Sequence, residues 1–458
     1  MSRTLTDVFV DNLLSYVNGH IDSSVYAHIQ NSFLDYVGCA LSGSRLLESK
    51  ADLLLSTPIG TEGDCSIFGK GRNFGANTAA LINGMYAHAL EMDDGQRVGT
   101  MHLAAPVFSG LIAISEHENI SYGDFLRGAI AGYETAIRLA CSIQPYHKKR
   151  GFHTTGTCGT IGSAMAIAAA LKFDFKQAKA TLSAAVSSAA GVLEMLSDDS
   201  ELKPFNVGRA ASDAIMAAYV GKVGLEPPLD ALMGKRGFYA TMTEKYDLSY
   251  ITDFNLHPEI SKTTFFKPYA ACRHCHPAIE AAICLSKENT INPADIQEVK
   301  VRTYDLAIVG HDHQVAKSVN SAKMSIPYSV AVSILDKKAD IFEFDEKSLQ
   351  RNDIAELSGK VTVVEDPSLS ALIPNKRSAI VEVTTANKTY VERVDVAKGE
   401  PENPMSREDL KQKFFFLAQY AGKDAEWCKE AFNRIFDTSK DELVTDILTF
   451  ITAANENS

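Results

Sequence analysis

TCGTIGSAMAIAAAL (157–171) and KQAKATLSAAVSSAAGVLEML (176–196) decide the fold. Both are rich in Ala, and small or apolar residues fall on nearly every side. A helix apolar on most sides is buried among other helices. The stretches 75–90 and 208–224 read the same way, and 22–42 and 121–142 add helices with apolar residues at helical spacing. Asp22, Ser23 or Ser24 suits the cap of the former and Ser121 that of the latter. The first half is therefore expected to be an all-helical unit with a core of small residues.

The pattern changes near residue 255. Pro258 and Pro268 interrupt the chain, and a helix is expected at 277–288. Alternating apolar and polar residues predict strands at 297–304, 360–366 and 378–396, the last with a turn at Asn387–Lys388. A helical run at 321–336 lies between them. KGEPENP (398–404) reads as a linker. Helices return at 406–421, 424–435 and 440–453. The expected organisation is mainly α. Residues 1–262 with 400–458 form a large helical domain, and 263–399 form an inserted α+β domain.

At 458 residues, 45% hydrophobic and 22% charged, the composition is that of a globular protein able to bury a large core. A net charge of -12 argues against nucleic acid as partner. The amino-terminal stretch lacks the apolar core of a secretory signal, and no window has the apolar length of a membrane span. With eight scattered cysteines, these features predict a cytoplasmic protein with reduced thiols.

Four stretches concentrate chemistry-bearing residues at element ends. HALEMDDGQRVGTMH (88–102) holds Glu91, Asp93, Asp94 and His102, carboxylates beside an imidazole. KRGFHTTGTCGTIGSA (149–164) places His153 before a Gly/Thr-rich turn opening a buried helix, a setting that favours anions; Cys158 reads as helix packing. LKPFNVGRAASDA (202–214) has Lys203 and Arg209 flanking a turn, with Gly208 starting a helix. FFKPYAACRHCHPAIEAA (265–282) carries Lys267, Tyr269, Arg273, His274 and His276. Cys272, Cys275 and His276 spell a haem-attachment pattern, but without an export signal it is read as chance. A zinc site would need Cys272, His274, Cys275 and His276 to be completed from His311-Asp312-His313, two distant pieces. No phosphate-binding loop, dinucleotide fingerprint or nucleophile elbow is present.

The order and wording of GMYAHALEMDD with His102, GFHTTGTCGTIGSA, KPFNVGRAA, KPYAACRHCHPAIEAA and MSIPYSVAVSI (324–334) resemble the MmgE/PrpD family. That resemblance implies a large helical domain made by both chain ends, a smaller α+β lid domain, an active site between the two, a homodimer, and catalysis without metal or organic cofactor. Carried onto this chain, it implies His102, His153, Lys203, Lys267 and Asp93 as catalytic residues, and Asp94, Arg273, His274, His276 and Tyr328 as substrate-binding ones. It implies a small polycarboxylate as substrate. Dehydration of a 2-methylcitrate-like hydroxyacid is expected first, then decarboxylation of an aconitate-like acid, then epimerisation of an iminodisuccinate-like acid. An inactive helical binding protein is the reading from another class. The sequence departs from the family pattern at Leu103 and Thr154, where Pro is frequent, at Asn206, often a His, and at Glu91, where the decarboxylase branch uses an aspartate.

Overall fold

The computed structural model describes residues 3–196 and 200–453. The chain forms two compact units, residues 1–264 with 406–458 and residues 265–405. The first is helical apart from short strands. Its centre is the helix Thr154–Ala170, every residue of which is buried. Around it pack Tyr122–Ile143, Ala104–Glu118, Leu202–Lys222 and Phe175–Ser188. Asp22 caps the helix Ser23–Leu46 through the Ser24 N–H, and Ser121 caps Tyr122–Ile143 through the Asp124 N–H.

Small residues set this packing. A Cβ placed on Gly208 would lie 2.1 Å from the Leu81 carbonyl oxygen, and one on Gly84 would lie 2.7 Å from Gly208 Cα. The helices Ala76–His88 and Leu202–Lys222 thus cross backbone to backbone. Gly208→Ala forces them apart, and it is expected to destabilise the protein by about 2 kcal/mol or more in urea titrations; an unchanged midpoint would refute this account.

Two expectations need correction. KPFNVGRAA lies inside Leu202–Lys222, so Gly208 does not start a helix but permits the crossing. The Gly/Thr-rich stretch after His153 is likewise helix, not turn, because the helix begins at Thr154. Gly162 there sits where a Cβ would be 2.7 Å from the Gly132 carbonyl. A buried ion pair, Arg138 with Glu134 at 2.8 Å, pins the end of this unit: Arg138 also donates to the Tyr250 and His257 carbonyls, and Glu134 accepts from the Ser261 N–H.

The second unit is built on a four-stranded sheet in the order Val361–Glu365, Ile296–Thr303, Ala379–Thr385, Thr389–Val394. The first pair is parallel and the others antiparallel, with Val299 opposite Val383 and Val301 opposite Val381. The helix His276–Glu288 packs on Ala379–Thr385 and Thr389–Val394 and against Ile326–Asp336. The run expected as one helix at 321–336 is two, Val319–Met324 and Ile326–Asp336. Pro327 lacks an N–H, and Ser325 starts the second helix by accepting from the Tyr328 N–H. The run expected at 176–196 stops at Ser188, before Gly191 at φ 136°.

Candidate active site

The loop after Ala76–His88 brings one acid and two imidazoles together. Asp93 is fully buried, and its Oδ2 lies 2.8 Å from His88 Nδ1 and 3.3 Å from His102 Nδ1. Burial works to raise the Asp93 pKa, but the two imidazoles outweigh it and hold the carboxyl well below the usual range. His102 Nδ1 also lies 2.7 Å from the Asp94 carbonyl. A carbonyl only accepts, so Nδ1 carries a proton and Nε2 is the nitrogen left for proton exchange. Glu91 and Thr100 adopt φ of 58° and 50°, so this loop holds two strained backbone positions.

His153 stands at the start of Thr154–Ala170, and its Nδ1 meets Asn206 Oδ1 at 2.7 Å. Burial pulls its pKa down to about 3, with Lys203, His88 and His102 adding positive charge nearby. The ring is therefore neutral throughout the physiological range. Lys203 pairs with Glu91, and both side chains are largely buried. Thr155 ties the two stretches together, its hydroxyl accepting from the His102 N–H at 3.1 Å. Thus His88, Glu91, Asp93, His102, His153, Lys203 and Asn206 form one neighbourhood.

The loop is held from far along the chain. Lys413, on Arg407–Tyr420, donates to the Met92 carbonyl at 2.6 Å and pairs with buried Asp35 at 2.6 Å. Burial works against the Lys413 charge, yet Asp35 reverses the balance and its pKa is raised.

In the second unit, Arg273 donates to Glu400 at 2.8 Å and to the Lys398 carbonyl at 3.3 Å, and its guanidinium lies 2.6 Å from His276 Nδ1. His276 is fully buried, with Nε2 3.1 Å from the Ala271 carbonyl. His274 Nδ1 meets the Tyr304 hydroxyl at 2.7 Å. The Tyr328 hydroxyl donates to the Glu343 carbonyl at 3.0 Å, and Lys267 is buried.

Residues 11–251 match the MmgE/PrpD N-terminal domain and residues 269–437 the MmgE/PrpD C-terminal domain. The chain belongs to the MmgE/PrpD family. Human cis-aconitate decarboxylase is 25% identical over 435 residues, covering 90% of this chain and 88% of that protein. The mouse cis-aconitate decarboxylase is 24% identical, covering 90% and 86%. The cis-aconitate decarboxylase of Aspergillus terreus (strain NIH 2624 / FGSC A1156) is 24% identical, covering 75% and 74%.

In this MmgE/PrpD chain, three residues expected at the substrate have other work. Asp94 accepts from the Leu103 and Ala104 N–H groups at 3.2 and 2.8 Å and from the Tyr133 hydroxyl at 2.7 Å. Oδ1 takes the two N–H groups where the helix Ala104–Glu118 starts and Oδ2 takes the Tyr133 hydroxyl, and burial pushes the carboxyl pKa up to about 6. Arg273 and His276 fasten the second unit internally, as their partners show. Sequence reading missed His88 and Lys413. His88 could have been found, since it ends a helix five residues before Asp93; nothing near Lys413 in sequence marks it. Of the described residues, only His88, Asp93 and His102 bring three metal-ligating groups within 4.8 Å, and N–H···O bonds to Asp93 account for that spacing.

Two histidines withdrawn from water, His153 buried and His28 half-buried, respond to acid. His153 and His28 have pKa values of about 3 and about 4 against 6.5 for a free imidazole. The unfolded chain binds protons at these sites below pH 6.5 and the folded chain does not. Their contribution is whole above pH 6.5 and is lost as pH falls toward 3–4. At pH 5 each costs about 2 kcal/mol, while Asp94 and Glu343, raised to about 6 and about 7, return a similar total over the same interval. In His28→Gln the change in stability from pH 7 to pH 5, read from urea unfolding, is expected to be more favourable than in wild type by about 2 kcal/mol; the same change in both proteins would contradict the neutral state of His28.

Proposed function

We propose that this chain is a metal-independent lyase that moves protons next to a carboxylate of a small di- or tricarboxylate. The observation that supports it is the shared Asp93: one buried anion facing His88 and His102, beside neutral His153 and the Lys203–Glu91 pair. In this reading Lys203 holds a substrate carboxylate by charge and offsets the negative charge that develops on it. His153, neutral and with Nε2 unprotonated, is the base. His102, backed by Asp93, is the acid.

Decarboxylation of an aconitate-like acid is the first choice, since the named relatives are cis-aconitate decarboxylases. There the C–C bond to the departing carboxylate breaks, its electron pair stays on the substrate carbon skeleton, and His102 delivers one proton to carbon. Dehydration of a 2-methylcitrate-like hydroxyacid remains the second reading because it uses both imidazoles: His153 removes the proton on the carbon beside a carboxylate, and His102 protonates the departing hydroxyl. Lys267 stays in the proposal as a residue of the second unit on the family resemblance alone. The dimer is a proposal on the same footing, and the cytoplasmic location is a proposal from the sequence composition.

Proton NMR of the full chain with citrate, 2-methylcitrate, cis- and trans-aconitate and iminodisuccinate reports both the substrate and the bond broken. Turnover of cis-aconitate with release of carbon dioxide supports the first choice, and water loss from 2-methylcitrate supports the second. His153→Ala and Lys203→Ala are each expected to lower kcat at least about a hundredfold with the fold intact. Chelator treatment is expected to leave activity unchanged. Near-normal turnover in either variant, or loss on chelation, would overturn the assignment.

A further inference from the structure

Six of the eight cysteines are buried, and two, Cys272 and Cys284, are half-buried. Burial pushes the buried thiols up, Cys141 and Cys158 to about 12 and Cys428 to about 11. Cys284 is raised as well, by burial and by the carboxylates of Glu280, Glu392 and Glu288. Cys272 has a different setting. Its Sγ lies 3.2 Å from His311 Nε2. The other ring nitrogen, Nδ1, lies 2.8 Å from the Val309 carbonyl. That carbonyl only accepts, so Nδ1 holds the proton and Nε2 presents a lone pair to the thiol. This is the arrangement of an activated nucleophile: thiol, base, and a third group orienting the base.

Both partners are fixed by main-chain bonds. The Cys272 N–H donates to the Lys323 carbonyl at 2.8 Å, and its carbonyl accepts from the Cys275 N–H at 2.9 Å. The His311 N–H donates to Ile308 at 2.9 Å, and its carbonyl accepts from the Ile326 N–H at 2.8 Å. The His274 ring packs beside His311 with centroids 5.2 Å apart, while its Nδ1 is engaged with Tyr304. Sequence reading joined these segments only as an improbable zinc site. The structure joins them through one sulfur and one nitrogen.

We propose that Cys272 and His311 form a nucleophilic pair, a covalent modification site for soft electrophiles whose carbon–carbon double bond is conjugated to a carbonyl. His311 Nε2 takes the thiol proton, and the sulfur adds to the β-carbon, forming the S–C bond. The π electrons move to the α-carbon, and the imidazolium returns its proton there. No further reactant is consumed. The proposal does not rest on the lyase reading, because its chemistry uses only the Cys272–His311 pair.

The test is limited labelling of the native full-length chain with N-ethylmaleimide at pH 7, followed by peptide mapping. Cys272 is expected to react at least about tenfold faster than Cys284, whose half-burial is similar. In His311→Ala the Cys272 rate is expected to fall about tenfold with the Cys284 rate unchanged. Labelling of Cys284 as fast as Cys272, or an unaltered Cys272 rate in the variant, overturns the proposal. Should His311→Ala unfold, seen as labelling of the buried cysteines, the wild-type rate ratio decides alone.

Discussion

His102→Gln is expected to lower kcat by about a thousandfold while changing KM little, measured on whichever substrate the NMR panel identifies. The magnitude follows from position. His102 is the imidazole whose Nδ1 faces both the Asp94 carbonyl and the buried Asp93 carboxylate, so its other nitrogen is aimed and its charge, when it carries the proton, is compensated. Gln keeps the size and an N–H for the Asp94 carbonyl but cannot transfer a proton. Lys203 and its partner Glu91 are untouched, so binding of the carboxylate persists. A variant with kcat within about tenfold of wild type would remove His102 from the proton-transfer role.

Lys413→Met is expected to cost about 3–5 kcal/mol of stability, read from urea unfolding. Removing the ammonium leaves Asp35 buried and ionised without its partner, which costs more than the pair gains. The Met92 carbonyl also loses its donor, so the loop holding Asp93 loosens and activity falls with stability. Lys413→Met with Asp35→Leu is expected to recover most of the stability, because an apolar pair carries no desolvation penalty, but not the activity, because Met92 remains unpartnered. A single variant as stable as wild type would show that the pair does not support the loop.

His153 and His102 were legible as candidates because each stands at an element end among Gly, Thr or acidic residues. Asp94 was legible only as a carboxylate in the right loop. Its two oxygens bind the Leu103 and Ala104 N–H groups and Tyr133, the last 39 positions away. Arg273 was chosen as a cation for a ligand, yet its partner Glu400 lies 127 positions on. Lys413, 321 positions from Met92, sits in a helix that reads as ordinary.

The sequence alone determined the helical character of the first unit, the alternating strands of the second, and the family. The first two follow from residue type and period, which fix backbone conformation and buried face within a few residues, and the family follows from the order and wording of five motifs. Tertiary structure decided which polar atoms are already satisfied and which remain for chemistry. A hydrogen-bond partner is set by proximity in space, and neither composition nor period encodes which distant carbonyl or carboxylate will lie within 3 Å.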